Sequence, residues 1–506
     1  AVGVHRAQAM CYAYIYALQH DLATISVQMT YCNLDTEDIR YFHYDYTFEE
    51  LAVWFEKLIT EYKKWADFQF AWKKLRQASI KPLQFPFSYR EGQKELAAGV
   101  YRTISRKKNL FIQAPTGAGK TISTVFPAVK AVGEDLADKI FYLTAKTITG
   151  TVAREAFELL RKNGYQAKVL TITAKEKLCL CEEMECNPVN CPYAKGHYDR
   201  VNDAVFSLLQ KEDMITREVI LEQAKEYNVC PFEMCLDTAT WVDDIICDYN
   251  YVFDPNVYLK RFFADGTTGD YIFLVDEAHN LVERSREMYS AIIYKEDFLL
   301  AKKILKKCGQ AKLMRELEKC NRVLLSYKRD CEKYVIYESI GNFAFELMNV
   351  ASDLDEFLQK APEFPERKDL SEFYLNLRNF LNIYELLDDH YVVYAEHEQD
   401  GRFKLKLYCV DPSKNLQERI NKGNATIFFS ATLLPVGYYK SLLSTETDNY
   451  AVYAKTAFRE EQKLLLLGND VSSKYTRRSA GEFERIASYV KKTTDAKKGN
   501  YMVFFP

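Results

Sequence analysis

"QAPTGAGKT", Gln113 to Thr121, follows the apolar run Leu110–Ile112 and precedes the helix-forming "ISTVFPAVKAV". A phosphate group needs this order of strand, glycine turn and helix. The glycines let successive backbone N–H groups converge on phosphate oxygens, and the positive end of the helix favours the same anion. Thr116, Gly117, Ala118 and Gly119 would wrap the phosphates. Lys120 would neutralise the β and γ groups, and Thr121 would offer its hydroxyl to Mg²⁺. Ala114 stands where the general pattern has glycine. ATP and Mg²⁺ are therefore the expected ligands.

A second stretch supplies what the loop lacks. "FLVDEAH", Phe273 to His279, is an apolar run ending in two carboxylates. Asp276 can hold the Mg²⁺ shell, and Glu277 can polarise an attacking water. His279 can couple nucleotide state to the rest of the protein. Alone, the string reads equally well as a solvated helix start; its pairing with the loop makes it specific. "FFSATLLP", Phe428 to Pro435, ends another strand with Ser430 and Thr432, placed to sense the γ-phosphate or a nucleic acid. In "YREGQKEL", Gln93 can reach an adenine edge, although an amphipathic helix explains the same residues. Thr144, Lys146 and Thr147 in "YLTAKTIT" offer donors to a phosphate backbone.

Four apolar runs, "NLFIQAP", "KIFYLTA", "YIFLVDEAH" and "ATIFFSAT", each end in small or polar residues. Buried parallel strands whose C-terminal ends carry chemistry look like this. The fold class predicted is α/β, a doubly wound parallel sheet. The 506 residues are 48% hydrophobic and 27% charged, enough for several domains with proper cores. A net charge of -3 means that nucleic-acid binding must come from local patches. No apolar run is long enough to span a bilayer. Thirteen cysteines without a secretory signal point to a reducing, cytoplasmic setting.

Cysteines gather in one place. "LCEEMECNPVNCPYAKG", Leu180 to Gly196, holds Cys181, Cys186 and Cys191, with Cys179 just before and Cys230 beyond. Thiolates suit a four-cysteine iron–sulfur site. A Cys₄ zinc site is chemically possible but usually shows two short pairs, and plain burial also remains open. Cys181 and Cys235 read as spare, either able to replace a neighbour, and Cys247 as core.

Two interruptions break the strand–helix alternation, the cysteine block and a strongly helical stretch from about 286 to 390. Near 392–410, Phe403, Leu405 and Leu407 alternate with Lys404 and Lys406 after Asp400-Gly401, a hairpin signal. The chain starts without Met and stops in "YMVFFP", read as an unfinished strand, so both ends are expected to be cuts in a longer protein.

Together these residues resemble the XPD/DinG-like iron–sulfur helicases of superfamily 2. The resemblance covers about 85–506 and rests on the order of loop, cysteine insert, D-E-A-H strand and helical insert. It implies two RecA-like lobes. Lobe 1 is expected at 85–175, 240–285 and 405–433, an iron–sulfur domain at 175–240 and a helical arch at 286–404. Lobe 2 would start at 434 and run to 506 without the family's late arginine, so slow hydrolysis is expected of this piece. Cys179, Cys186, Cys191 and Cys230 would hold a [4Fe–4S] cluster, with Cys181 an alternative to Cys179. Residues 1–80, with Gln8 and Tyr12 four apart on a helix, resemble the closing helix of PD-(D/E)XK, RecB-type nuclease domains. The metal-binding residues of such a domain would lie upstream.

The implied function is an ATP-dependent 5′→3′ DNA helicase acting on single strands and forks in DNA repair. The alternative is a nucleotide-gated iron–sulfur or zinc protein that binds or senses nucleic acid without unwinding it.

Overall fold

A computed structural model describes residues 2–34, 36–145, 147–361, 364–454, 461 and 464–505, without the side chains of Thr147 and Ile148. In chain order the strands are β1 Thr24–Cys32, β2 Ile39–Thr47, β3 Asn109–Gln113, β4 Lys139–Thr144, β5 Val169–Thr171, β6 Met214–Ile215 and β7 Asp244–Asp248. They continue with β8 Tyr271–Asp276, β9 Ala291–Tyr294, β10 Tyr334–Tyr337, β11 Tyr391–His397, β12 Phe403–Cys409, β13 Ala425–Ser430 and β14 Tyr450–Tyr453.

Eight strands form one sheet in the order β14-β3-β13-β8-β4-β7-β5-β6, and every pairing in it is parallel. The strand sequences explain why. Phe111, Phe141, Phe273 and Phe428 face one helical layer, while Leu110, Ile140, Ile272 and Ile427 face the other. A strand buried on both faces is apolar through its middle, as Leu110–Ile112, Ile140–Leu143, Ile272–Val275 and Ile427–Phe429 are. The α/β class expected from the sequence is the observed one.

The cysteine insert is continuous with this core. Leu178, Val201, Val205, Leu208, Ile220 and Cys235 pack into the same apolar layer as Phe141 and Phe273. The insert also supplies β6, the edge strand. Cys247 is buried on β7, as core.

The helical stretch forms its own core around a four-stranded antiparallel sheet, β10-β11-β12-β9. Phe403, Leu405 and Leu407 are fully buried there, and Lys404 between them pairs with Glu396 and Glu398 at 2.6 and 2.7 Å. The expected return to the first lobe at residue 405 is corrected here. The 404/405 division cuts β12, whose partners are β9 and β11. Hydrogen-bonding partners decide where a strand belongs, and period-two alternation does not reveal them.

The start of a second lobe at 434 is likewise moved. Helix Val436–Leu443 buries Val436 and Leu443 in the first lobe's core, and β14 pairs with β3. A separate compact unit spans 456–506. Its helix Ala480–Ala496 is capped by Ser479, which accepts from the Glu482 amide. Tyr501–Phe505, read as a strand, pairs with no ladder among the described residues.

At the other end, helix Gly3–His20 and the β1–β2 hairpin bury Ala13, Tyr46 and Leu51 between them. The helix Phe48–Ile80 follows, opened by a reciprocal cap between Thr47 and Glu50. Its second half enters the large sheet's core. Trp65 stacks near Trp241, Trp72 Nε1 donates to Asp243 at 2.7 Å, and Arg76 bonds Asp243 at 2.6 Å. No described helix is long and apolar enough to cross a membrane.

Candidate nucleotide site and cysteine cavity

The loop after β3 lies at the C-terminal edge of the sheet. Gly117 and Gly119 sit at φ 85 and 70°, a region open to glycine at little cost. Gly119 caps the helix Lys120–Gly133, so Lys120 and Thr121 are that helix's first residues. Neighbouring segments brace the loop. Ala114 N donates to Ser430 O at 3.0 Å, and Gln113 Nε2 to Ala431 O at 3.1 Å. The Arg90 guanidinium donates to Gly117 O. Gln93 is buried, accepts from Arg90 N at 3.1 Å, and packs its amide against Gly119.

β8 brings Asp276 and Glu277 to the same edge. Lys120 Nζ stands 4.0 Å from Glu277 Oε1. Glu277 takes φ 48°, left-handed for a residue with a side chain, which turns the chain sharply off the strand. Tyr142 donates to Asp276 Oδ2 at 2.8 Å, and Glu277 N donates to Oδ1 at 2.8 Å. Tyr249 donates to the Asp276 carbonyl and, at 3.1 Å, to the Glu277 carbonyl. Burial pushes the Asp276 carboxyl up to about 6 despite the Tyr142 bond. A cation would relieve that cost.

Glu277, His279, Ser430 and Thr432 form one chain of hydrogen bonds. Ser430 Oγ donates to Glu277 Oε2 at 3.0 Å, lies 2.7 Å from His279 Nδ1 and 3.3 Å from Thr432 Oγ1. Glu277 is thus tied to a strand end from a different part of the chain. Lys146 and the Thr147 side chain lie outside the described residues.

The cysteines meet elsewhere. Cys179, Cys181, Cys186, Cys191 and Cys230 line one cavity of about 300 Å³, with His197 and Lys175. Cys181 Sγ lies 3.8 Å from Cys191 Sγ. Burial, then Cys191, pushes the Cys181 thiol up to about 11. Among the described residues no three His, Cys, Asp or Glu side chains are gathered tightly enough for a single metal ion.

Residues 158–298 match the DEAD_2 family model. The ATP-dependent DNA helicase XPD of Sulfolobus acidocaldarius is 22% identical over 432 residues, 82% of this chain and 72% of that protein. A probable ATP-dependent helicase of Methanocaldococcus jannaschii is 24% identical over 478 residues, 83% of this chain and 70% of that one. A solved XPD helicase structure covers 82% of this chain and 71% of its own, at 20% identity and TM-score 0.48. Over most of its length the chain is similar to XPD-type helicases. The DEAD_2 match spans the cysteine insert, the D-E-A-H strand and the start of the helical insert.

Sequence reasoning missed Tyr142, Tyr249 and Arg90. Both tyrosines look like core aromatics in apolar runs. Only the pairing of β4 with β8 and β7 puts them beside Asp276. Gln8 Nε2 reaches Tyr12 OH at 3.5 Å on an exposed helix face.

Proposed function

We propose that this chain is the motor of an ATP-dependent DNA helicase of the XPD/DinG-like kind, a nucleotide hydrolase acting on single strands and forks with 5′→3′ polarity in DNA repair. One observation carries the reading. The phosphate loop and the D-E-A-H carboxylates, far apart in sequence, meet with Lys120 4.0 Å from Glu277. The names and coverage of the relatives support the helicase assignment, and by the same resemblance ATP and Mg²⁺ are the expected ligands.

The placement of these residues supports their proposed roles. The backbone of 116–119 would cradle the β and γ phosphates at a helix N-terminus, with Lys120 neutralising their charge. Thr121 and Asp276 would hold Mg²⁺. Glu277 would orient and polarise the attacking water, and Gln93 would fix the adenine edge. His279, Ser430 and Thr432, bonded to Glu277, would carry the change in its surroundings to the strand-binding side. The cysteine cavity suits a [4Fe–4S] cluster held by Cys179, Cys186, Cys191 and Cys230, with Cys181 the alternative first ligand. The fit rests on the donor set, five thiols around one space. The cluster would cross-link the insert and fix its shape.

Strand displacement tests the proposal. On forked duplexes, ATP-dependent separation should need a 5′ single-stranded tail and vanish in Glu277→Gln. DNA-stimulated hydrolysis without any separation would favour the binding or sensing alternative.

A further inference from the structure

We propose that Cys181 is a resolving thiol: when the four-cysteine centre is empty, it pairs with Cys191 in a reversible disulfide that locks the centre against loading. The lock rests on the proposed ligand set Cys179, Cys186, Cys191 and Cys230, with Cys181 outside it; the pairing does not.

Five thiols line a cavity where a four-ligand centre needs four. The surplus one is not idle. Cys181 and Cys191 already share a thiol contact at 3.8 Å, and all thirteen cysteines are unpaired. Closing to a disulfide, about 2.05 Å, requires the sulfurs to approach by less than the reach of one side-chain rotation. Cys181 lies just beyond the short helix Lys175–Leu178, in a segment without helix or strand, whereas Cys191 is held by its N–H to Asn187 O at 2.9 Å. One partner is anchored and the other can move. Both are half-buried, so a small disulfide reagent can reach them.

The chemistry closes with oxidised glutathione as co-reactant. One thiolate attacks the reagent, forming a mixed disulfide and expelling one glutathione thiolate. The second protein thiolate attacks that mixed disulfide and expels the other. Two protein thiols are oxidised, one glutathione disulfide is reduced, and two protons go to the two glutathione thiolates. Cys191 sulfur, bonded to carbon and sulfur, then has no thiolate to give to iron. A dithiol reductant reverses both steps.

The experiment uses iron-free protein, reduced and then exposed to oxidised glutathione. Cleavage after Glu182, Glu183 and Glu185 separates Cys181 from Cys191, so mass spectrometry of unreduced digests reads the link directly, and fragmentation distinguishes Cys179 from Cys181 and Cys186 from Cys191. Iron uptake from ferrous iron and sulfide is then measured. The expected result is a Cys181–Cys191 link, uptake at least tenfold lower until a dithiol is added, and normal uptake by oxidised Cys181→Ser. A link among other cysteines, or none, overturns the pairing. Uptake unaffected by the link overturns the lock. Failure of the fully reduced protein to take up iron at all overturns the cluster reading and the lock together, while the mass map still decides the pairing.

Discussion

At Gly119 an added Cβ would stand 2.5 Å from the Gln93 amide nitrogen, on backbone at φ +70. Gly119→Ala should therefore weaken nucleotide binding about tenfold or more, from roughly 1–2 kcal/mol of left-handed strain plus the clash. A fluorescent-nucleotide titration reads the loss directly. No loss in the single variant would mean that the loop tolerates another shape. A different residue carries a pH signature. Asp244 is fully buried, and burial, then the Asp243 charge, pushes its carboxyl up to about 8. Tyr165 donates to it at 3.0 Å. The folded value lies above the unfolded one, roughly 3.9. The cost of ionisation is absent below pH about 4, grows as pH rises, and is complete near pH 8. Thermal melts should thus show Asp244→Asn gaining several degrees on the wild type between pH 5 and pH 8. A pH-independent difference would refute the buried ionisation. Lys120 and Glu277 were legible as residues because spacing and residue type define their chemistry. Tyr142 and Arg90 were not, because their roles arise only from what lies beside them.

Among the elements, strands β3, β4, β8 and β13 could be read directly, since burial on both faces leaves an unbroken apolar run through the middle of each. β6 and β14 could not. Two residues at an edge, and four that alternate burial, carry no periodic signal above their surroundings. β12 was legible as half of a hairpin, but its sheet was not, because pairing with β9 joins segments separated by the whole helical insert. The cysteine insert was legible as a thiol cluster, and its fusion to the motor core was hidden in scattered apolar positions such as Leu178 and Val205. Its prediction is spectroscopic. Anaerobically purified protein should contain about four irons per chain and absorb broadly in the visible, and Cys191→Ser and Cys230→Ser should lose both. One zinc and no colour would replace the cluster with a structural zinc site.

Across the whole molecule, the helix Phe48–Ile80 joins the N-terminal hairpin to the motor. Residues 1–80 were read as the remnant of another domain, yet Arg76 is buried against Asp243 and meets Asp138 at 3.1 Å. Breaking a buried pair leaves the partner charge uncompensated, at about 3–5 kcal/mol. Arg76→Ala should lower the melting temperature by several degrees, whereas Lys63→Ala, on the exposed face of the same helix, should leave it within a degree. Equal effects would mean that the helix is not part of the core. The measurement that bears most directly on the motor itself is ATP turnover with and without single-stranded DNA, read beside nucleotide binding, for the wild type, Lys120→Ala and Glu277→Gln. The result predicted is turnover that rises with DNA, loss of both binding and turnover in Lys120→Ala, and retained binding with turnover down about a hundredfold or more in Glu277→Gln. Turnover indifferent to DNA, or surviving in either variant, would contradict a helicase motor built on these two residues.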